Sequence, residues 1–467
     1  MSTDIAALGA IVGARNLVSD PQEMAPYLRE MRGLFHGRAL AIVRPGSTAE
    51  VAEVLRWAAR TGTRVTPQGG NTGLVGGQIP VAEGRQIILS LQRLDAIRAV
   101  DPEGNTMTVE AGVTLLRARE AAQAAGRLFP LSLPSEGSCT IGGNLSTNAG
   151  GTAVIAYGNA RELCLGLEVV LADGRVWNGL RRLRKDNTGY DLRNLFIGAE
   201  GTLGVITAAV LKLWPLPAAR TTAFLAVPSP AAAVAVLNRA RAGAAGTLVT
   251  FELIPRIGLD YVLRHAPDTR DPLAETSPWY VLMEVSAQAE AGLEDAVSAV
   301  LAEAMADGLV GDAAIAGSLD QRNAFWRLRE MLSEVQRLEG GSIKHDVSVP
   351  VHAVPAFLER ASAVCEALVP GGRVVAFGHL GDGNIHFNLS QPPGADKAAF
   401  LARWEEVNAA VHAVVAAMEG SISAEHGIGR LKRDLLPHVK DPVELDLMRT
   451  LKAALDPQGL LNPGAVL

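Results

Sequence analysis

The run PQGGNTGLVGG at residues 67–77 carries five glycines in eleven positions and decides how the whole chain is interpreted. Two further glycine clusters follow it, IGGNLSTNAGG at 141–151 and GAEGTLGVIT at 198–207. Glycine lets backbone N–H groups approach a ligand closely, and successive amides can form an anion-binding nest. One cluster alone is equally well explained by tight turns. Three clusters in one stretch favour a site for a pyrophosphate, although neither GxGxxG nor GxxxxGK[ST] occurs.

Length and composition restrict the class of protein. The chain has 467 residues, is 48% hydrophobic and carries a net charge of −6, so we expect two or three domains and no nucleic-acid partner. The three cysteines form no CxxC pair, which fits a reducing cytosol. The N-terminus lacks a basic n-region, and no apolar run approaches the roughly 20 residues of a transmembrane helix. The sequence therefore predicts a cytoplasmic protein without a transmembrane segment.

Short strand-like runs alternate with helical patterns along the chain, and this alternation predicts an α+β fold. A typical helical pattern spans 48–62, with Thr48 as the expected N-cap and Gly62 as the expected C-cap. After Pro217 the composition shifts to alanine-rich helices between apolar strands. The expected divisions are an N-terminal helical segment (1–37), a glycine-rich domain (38–217), a second α+β domain (218–420) and a C-terminal segment (421–467).

Two histidines, His379 and His386, flank a glycine-rich turn in FGHLGDGNIHFNLS at 377–390. On a strand, His386 and Asn388 point to one face because the side-chain period is two. The later run SAEHGIG adds Glu425 and His426. Two imidazoles and one carboxylate suit zinc, and also manganese, cobalt or iron. Spacing alone leaves the alternative open, because an isolated histidine is more often a hydrogen-bonded structural residue.

The glycine clusters, together with KDNTGYDLRNLFIGAEGTLGVIT at 185–207, resemble the FAD-binding domain of the vanillyl-alcohol oxidase / p-cresol methylhydroxylase superfamily. Nearly the whole chain, through the C-terminal LNPG, is similar to the branch of D-2-hydroxyglutarate and D-lactate dehydrogenases. The resemblance implies a PCMH-type FAD-binding domain of two subdomains, an α+β cap domain for the substrate, and a C-terminal helical segment that completes the active site. The cofactor-binding residues that it implies are Pro67, Gly69, Gly70, Asn71, Thr72, Gly73, Pro134, Gly137, Thr140, Gly142, Gly143, Ser146, Asn148, Gly150, Glu200, Gly201, Gly204, Ile206 and Asn462.

One departure from the superfamily concerns flavin attachment. Some members bind the flavin covalently through a histidine in the first glycine loop. Here Asn71 follows Gly69 and Gly70, and 67–77 contains no histidine. By this resemblance we expect FAD to be bound without a covalent bond.

The resemblance also assigns roles in the reaction. It implies that His379, His386 and Glu425 bind a divalent metal, zinc first, and that His426 is the general base. Asn388 is the candidate for holding the substrate α-carboxylate. A metal stabilises developing negative charge on a hydroxyl oxygen, and an adjacent histidine can accept the proton near neutral pH.

The substrate residues are expected in 325–350. Trp326, Arg329 and Ser333 have the spacing of one helical face, and by charge pattern alone Arg329 is a surface ion pair and Lys344 a solvated lysine. The resemblance instead implies that Arg329, Ser333 and Lys344 bind the distal carboxylate of a five-carbon diacid. Ser333 stands where the family often has threonine.

The predicted function is the FAD- and metal-dependent oxidation of a D-2-hydroxy acid, D-2-hydroxyglutarate to 2-oxoglutarate first and D-malate second. The alternatives are a D-lactate or glycolate dehydrogenase, and a flavin-binding subunit of a larger complex. The resemblance suggests an electron-transfer flavoprotein, a quinone or a cytochrome as electron acceptor. A homodimer is the expected assembly, and peripheral membrane association is the alternative to a purely cytoplasmic location.

Overall fold

A computed structural model describes residues 3–289 and 291–467. The chain divides into two compact units. Unit 1 is formed by the chain up to Gly150 with Gly158–Leu216 and Glu425–Leu467, and unit 2 by Gly151–Tyr157 with Pro217–Ala424. Both units combine helices with sheets, which confirms the predicted α+β class. Within the described ranges, no helix has the length and apolar character needed to cross a membrane.

The elements of unit 1, numbered along the whole chain, are mostly short. Its strands are β1 (Leu17–Val18), β2 (Ile42–Val43), β3 (Arg64–Gln68), β4 (Gln86–Ser90), β5 (Ile97–Asp101), β6 (Thr106–Glu110), β7 (Arg127–Leu128), β8 (Cys164–Val170), β9 (Val176–Gly179), β10 (Val205–Lys212) and β11 (Trp214–Pro215). Its α-helices are α1 (Thr3–Val12), α2 (Pro21–Met24), α3 (Thr48–Thr61), α4 (Leu115–Ala124), α5 (Ile141–Ser146), α7 (Arg193–Phe196), α16 (Leu436–Val439) and α17 (Pro442–Leu455).

Unit 1 contains two main sheets. The first has the order β1-β2-β4-β3, with β2, β4 and β3 parallel, and the second is the antiparallel sheet β5-β6-β10-β8-β9. Helix α3 buries Val54, Leu55 and Trp57 in a core that both sheets share. The predicted N-cap was wrong by one residue: the Ser47 hydroxyl, not that of Thr48, accepts from the backbone N–H of Glu50. The predicted end is confirmed, because Gly62 caps the helix in the left-handed conformation.

Unit 2 is built on longer strands. They are β12 (Ala219–Val227), β13 (Thr247–Pro255), β14 (Trp279–Ala287), β15 (Asp312–Ile315), β16 (Ser342–Ser348), β17 (Arg373–His379) and β18 (Asn384–Ser390). Its α-helices are α6 (Val154–Tyr157), α8 (Pro230–Gly243), α9 (Arg256–His265), α10 (Leu293–Ala306), α11 (Leu319–Glu330), α12 (Leu332–Val335), α13 (Val354–Leu368), α14 (Lys397–Leu401) and α15 (Trp404–Ala416).

The strands of unit 2 form one antiparallel sheet of seven, in the order β15-β12-β14-β13-β17-β18-β16. Helices α9, α11 and α12 pack on one face of it, where Phe325 and Leu332 join Phe224, Tyr280 and Phe377 in an apolar core. Burying aromatic side chains on this scale fixes the sheet face against the helices. The polar residues described below interrupt this apolar face.

Candidate functional site

The three glycine clusters meet in a cleft of unit 1 that encloses about 810 Å³, including space open to solvent. Twelve of the predicted cofactor residues line it: Pro67, Gly69, Gly70, Asn71, Thr72, Gly73, Thr140, Gly142, Gly143, Ser146, Glu200 and Gly201. We call this the glycine cleft. His426, the predicted base, also lines it.

The glycines are needed because the loops pack against each other without room for side chains. A Cβ on Gly70 would lie 1.9 Å from the backbone oxygen of Ser138, and one on Gly69 would lie 2.4 Å from the Thr140 hydroxyl. A Cβ on Gly142 would lie 2.6 Å from that of Ala111. The cleft is therefore walled largely by backbone, which is the surface that a dinucleotide pyrophosphate requires. This construction fits FAD.

Seven predicted cofactor residues are not among the residues that line the glycine cleft: Pro134, Gly137, Asn148, Gly150, Gly204, Ile206 and Asn462. The sequence-based prediction also missed eight residues that do line it: Gln68, Val75, Gly77, Gln78, Leu91, Ala111, Asn144 and Thr147. Gln68, Asn144 and Thr147 each adjoin a predicted residue in the sequence, so extending the predicted loops by one residue would have found these three.

Some of the residues outside the cleft have other contacts. A Cβ on Gly150 would lie 2.6 Å from Oε1 of Glu425, so this glycine makes room for that carboxylate. Asn462, at φ 44°, donates from Nδ2 to the backbone oxygens of Gly77 and Glu200 at 2.8 and 2.7 Å. It therefore ties the C-terminal LNPG to the loops that line the cleft.

Glu200, in the third glycine cluster, contacts the loop that follows His426. Its carboxylate accepts from the backbone N–H of Ile428 at 2.7 Å and of Gly429 at 2.9 Å. Burial raises the pKa of the Glu200 carboxyl, and the two N–H groups offset part of that rise. The contact fixes the backbone just after His426 and explains how this histidine comes to line the glycine cleft.

The predicted metal and substrate residues of unit 2 share one face of its sheet. The β16–β18 register pairs Asp346 with His386 and Lys344 with Asn388. The β17–β18 register then places His379 opposite Asn384, and β13 brings Glu252 opposite His379. Directly opposite residues share a face, so we call these seven residues the histidine face.

The two histidines are close neighbours. The ring centroids of His379 and His386 lie 5.5 Å apart, in an edge-on arrangement. Behind His386, the Oδ1 atom of Asp346 lies 3.9 Å from Nδ1 of the imidazole and accepts a hydrogen bond of 3.0 Å from Nδ2 of Asn384. The two predicted imidazoles are therefore neighbours within unit 2.

Glu252 is a buried carboxylate that the sequence analysis did not single out. One oxygen lies 2.6 Å from Nδ1 of His379, and the other accepts from Nε of Arg329 at 2.7 Å. Burial alone would raise the pKa of Glu252, but His379 and Arg329 lower it to about 2. The signal was present in the sequence, since Glu252 is the one charged residue of the apolar strand TLVTFELIP.

The four predicted substrate residues differ in environment. Arg329 is buried beside Glu252, and Asn388 is buried with its Nδ2 donating to Gln336 at 3.0 Å. Lys344 is exposed on the histidine face, and Ser333 is exposed on α12. The inward side of α11 extends backwards from Arg329 to Trp326 and Arg322, both of which donate to Glu284. It does not extend forwards to Ser333.

Family comparisons agree with this construction. Residues 39–179 match the family model of an FAD binding domain, and residues 216–466 match that of the FAD linked oxidases, C-terminal domain. The chain belongs to the FAD-linked oxidases. Within them it belongs to the D-2-hydroxyglutarate dehydrogenase branch, which confirms the predicted family and makes the chain an FAD-dependent dehydrogenase of D-2-hydroxy acids.

Two relatives and two solved structures illustrate the match. The chain is 39% identical to D-2-hydroxyglutarate dehydrogenase of Xanthomonas citri over 98% of this chain and 96% of the relative. It is also 39% identical to the mitochondrial enzyme of that name from Bos taurus, over 98% and 82%. Its fold matches p-cresol methylhydroxylase with a TM-score of 0.77 at 18% identity, over 99% of this chain and 96% of the other. Alkyldihydroxyacetonephosphate synthase gives 0.75 at 18% identity, over 99% and 84%, and these two structures support the fold alone.

Proposed function

We propose that this chain oxidises D-2-hydroxyglutarate to 2-oxoglutarate, with D-malate as a second substrate. The main observation behind this proposal is the register of β16 against β18. It aligns Lys344 with Asn388 and Asp346 with His386 on one sheet face. A cation next to an amide and an imidazole suits a diacid better than a monocarboxylic acid. The names of the relatives from Xanthomonas citri and Bos taurus support the same substrate.

The glycine cleft is proposed to hold FAD without a covalent bond. The side chain of Asn71 also supports non-covalent binding, because it is held by the protein itself. Its Nδ2 donates to the backbone oxygens of Pro26 and Arg29 at 3.0 Å each. When bound, FAD supplies the acceptor for the substrate hydride. Acid denaturation should release all the yellow colour into the supernatant, and colour retained in the pellet would contradict this attachment.

We propose that His379, His386 and Glu425 hold a divalent metal, zinc first and manganese, cobalt or iron as alternatives. The two imidazoles are neighbours on β17 and β18. Ala424, directly before Glu425 in the chain, donates its N–H to the backbone oxygen of Asp346, which pairs with His386. A metal bound by these residues would supply positive charge that stabilises negative charge on a substrate oxygen.

The side chains then have distinct tasks. Oxidation of the alcohol removes the hydroxyl hydrogen as a proton and the Cα hydrogen as a hydride, and His426 is proposed to accept the proton. Asn388 is proposed to hold the α-carboxylate, and Arg329 and Lys344 the distal carboxylate. The Arg329–Glu252 ion pair uses Nε, so the two Nη atoms can form the fork that binds a carboxylate. Ser333 is exposed on α12, as Lys344 is on β16, and its predicted place in the clamp is tested by substitution below.

Anaerobic reduction of the bound flavin tests this function. The FAD-loaded chain is mixed with D-2-hydroxyglutarate, L-2-hydroxyglutarate, D-malate, D-lactate and glycolate, each with and without a metal chelator. We expect D-2-hydroxyglutarate to bleach the flavin fastest and the chelator to slow it. Faster bleaching by D-lactate or glycolate would favour these alternative substrates. Bleaching at the same rate with and without the chelator would contradict the proposed metal dependence.

An external electron acceptor must regenerate the oxidised cofactor. An electron-transfer flavoprotein, a quinone and a cytochrome stay the predicted candidates, as does the homodimer. Reduction of a dye by the isolated chain would exclude the reading as an inert flavin-binding subunit.

A further inference from the structure

Glu252 joins a proposed metal ligand, His379, to a proposed substrate residue, Arg329. Its side chain is buried at the point where β13 pairs with β17. Oε1 lies 2.6 Å from Nδ1 of His379, and Oε2 accepts from Nε of Arg329 at 2.7 Å. A buried carboxylate costs free energy unless it is paired, and here each oxygen has a cationic or N–H partner.

Each of these contacts has a directional consequence. The contact of Oε1 with Nδ1 of His379 engages that ring nitrogen, so a metal would bind this imidazole through Nε2. The bond to Nε of Arg329 fixes the plane of the guanidinium, which also stacks with its Cζ 4.8 Å from the Phe377 ring centroid. One carboxylate therefore sets the orientation of both side chains.

We propose that Glu252 is a positioning residue that holds His379 ready for a divalent metal and Arg329 ready for the substrate carboxylate. This inference rests on the proposed function, because both partners have their roles from it. A carboxylate behind a metal-binding imidazole typically strengthens metal affinity by 10–100-fold. Glu252 itself touches neither the metal nor the substrate.

The chain contains a matched control on the same sheet face. Glu284 on β14 is also buried, and it accepts from Nε of Arg322 at 2.8 Å and from the indole of Trp326 at 3.2 Å. Arg322 lies seven residues, or two helical turns, before Arg329 on α11. Glu284 thus repeats the buried glutamate–arginine pair without a histidine.

The experiment compares Glu252→Gln and Glu284→Gln in the full-length, FAD-loaded chain. Affinity for Zn²⁺ is measured by competition with a chromogenic chelator, together with Tm and the KM for D-2-hydroxyglutarate. We expect Glu252→Gln to weaken Zn²⁺ binding about 10–100-fold and to raise KM. Glu284→Gln should lower Tm comparably but leave Zn²⁺ affinity within about threefold, since it contacts no proposed ligand.

The outcomes distinguish a failure of the positioning role of Glu252 from a failure of the proposed metal site. If the parent chain binds Zn²⁺ and Glu252→Gln binds it equally well, the positioning role is wrong and the metal site stands. If the parent chain itself binds no Zn²⁺, both are wrong. Should Glu252→Gln not fold, Glu252→Asp keeps the charge on a shorter side chain and should show a smaller but measurable loss of Zn²⁺ affinity. Unchanged affinity in the folded aspartate variant would then overturn the inference.

Discussion

The glycine cleft of unit 1 and the histidine face of unit 2 are built from different groups. Among the described residues that line the cleft, only Glu200 and His426 have ionisable side chains, and much of the remaining wall is glycine. The histidine face is the reverse, because Glu252, Asp346 and His379 are all buried ionisable side chains. Backbone amides suit a large anionic cofactor, whereas side chains with defined charges suit a small substrate and a metal.

This contrast predicts different sensitivities to substitution. The cleft should tolerate changes of polarity but not of volume, since its loops are in close backbone contact. The histidine face should tolerate modest changes of volume but not of charge, since its buried groups are paired. Each prediction below tests one side of that comparison.

Gly70→Ala should have the largest effect. The added Cβ would lie 1.9 Å from the backbone oxygen of Ser138, and a backbone oxygen cannot move aside as a flexible side chain can. We expect purified protein with essentially no bound FAD and a lower Tm, measured from the visible absorbance of flavin relative to protein. Gly311→Ala, which adds a Cβ to open space, is the control and should keep its full flavin content. Normal FAD content in Gly70→Ala would refute the backbone-walled cleft.

His426→Gln should have the next largest effect, because it removes the proposed base but keeps a polar side chain of similar size at this position of the cleft lining. We expect FAD to stay bound and the rate of anaerobic flavin reduction to fall by roughly 10²–10⁴-fold. The exposed His438, in α16 of the same C-terminal segment, gives the control His438→Gln, which should reduce at the parent rate. A fall smaller than tenfold in His426→Gln would assign proton transfer to another group.

The sequence predicted the local parts of this comparison well. The expected helix at 48–62 is α3 apart from its cap, and the glycine loops line the cleft because turn chemistry is encoded locally. The proximity of His379 and His386 was also foreseeable, since a tight turn joins their strands.

Long-range partners were harder to predict from the sequence. Glu252 is 127 residues from His379, and only the register of β13 against β17 brings them together. For Ser333, the sequence predicted a shared helical face with Arg329 from their spacing. The helix α11 ends at Glu330, however, and Ser333 is exposed on α12. Periodicity predicts which residues share a face only while the helix continues.

Lys344→Ala tests the charge of the histidine face and should change specificity more than rate. We expect kcat/KM for D-2-hydroxyglutarate to fall about 10–100-fold, the value of one charge-assisted hydrogen bond, and kcat/KM for D-lactate to stay within about threefold. The exposed Lys397, at the start of α14, provides the control Lys397→Ala, which should alter neither value. An equal loss for both substrates would show that Lys344 does not bind the distal carboxylate.

Ser333→Ala should have the smallest effect. The buried neighbours Leu332 and Val335 hold α12 against the core while the Ser333 hydroxyl stays exposed, so its removal breaks no buried contact. We expect kcat/KM for D-2-hydroxyglutarate within about twofold of the parent chain, in the same assay as Lys344→Ala. A tenfold loss would instead restore Ser333 to the clamp that the family resemblance implied. It would also mean that α12 turns this hydroxyl inwards when the substrate binds, so that exposure without substrate is a poor guide to which residues bind it.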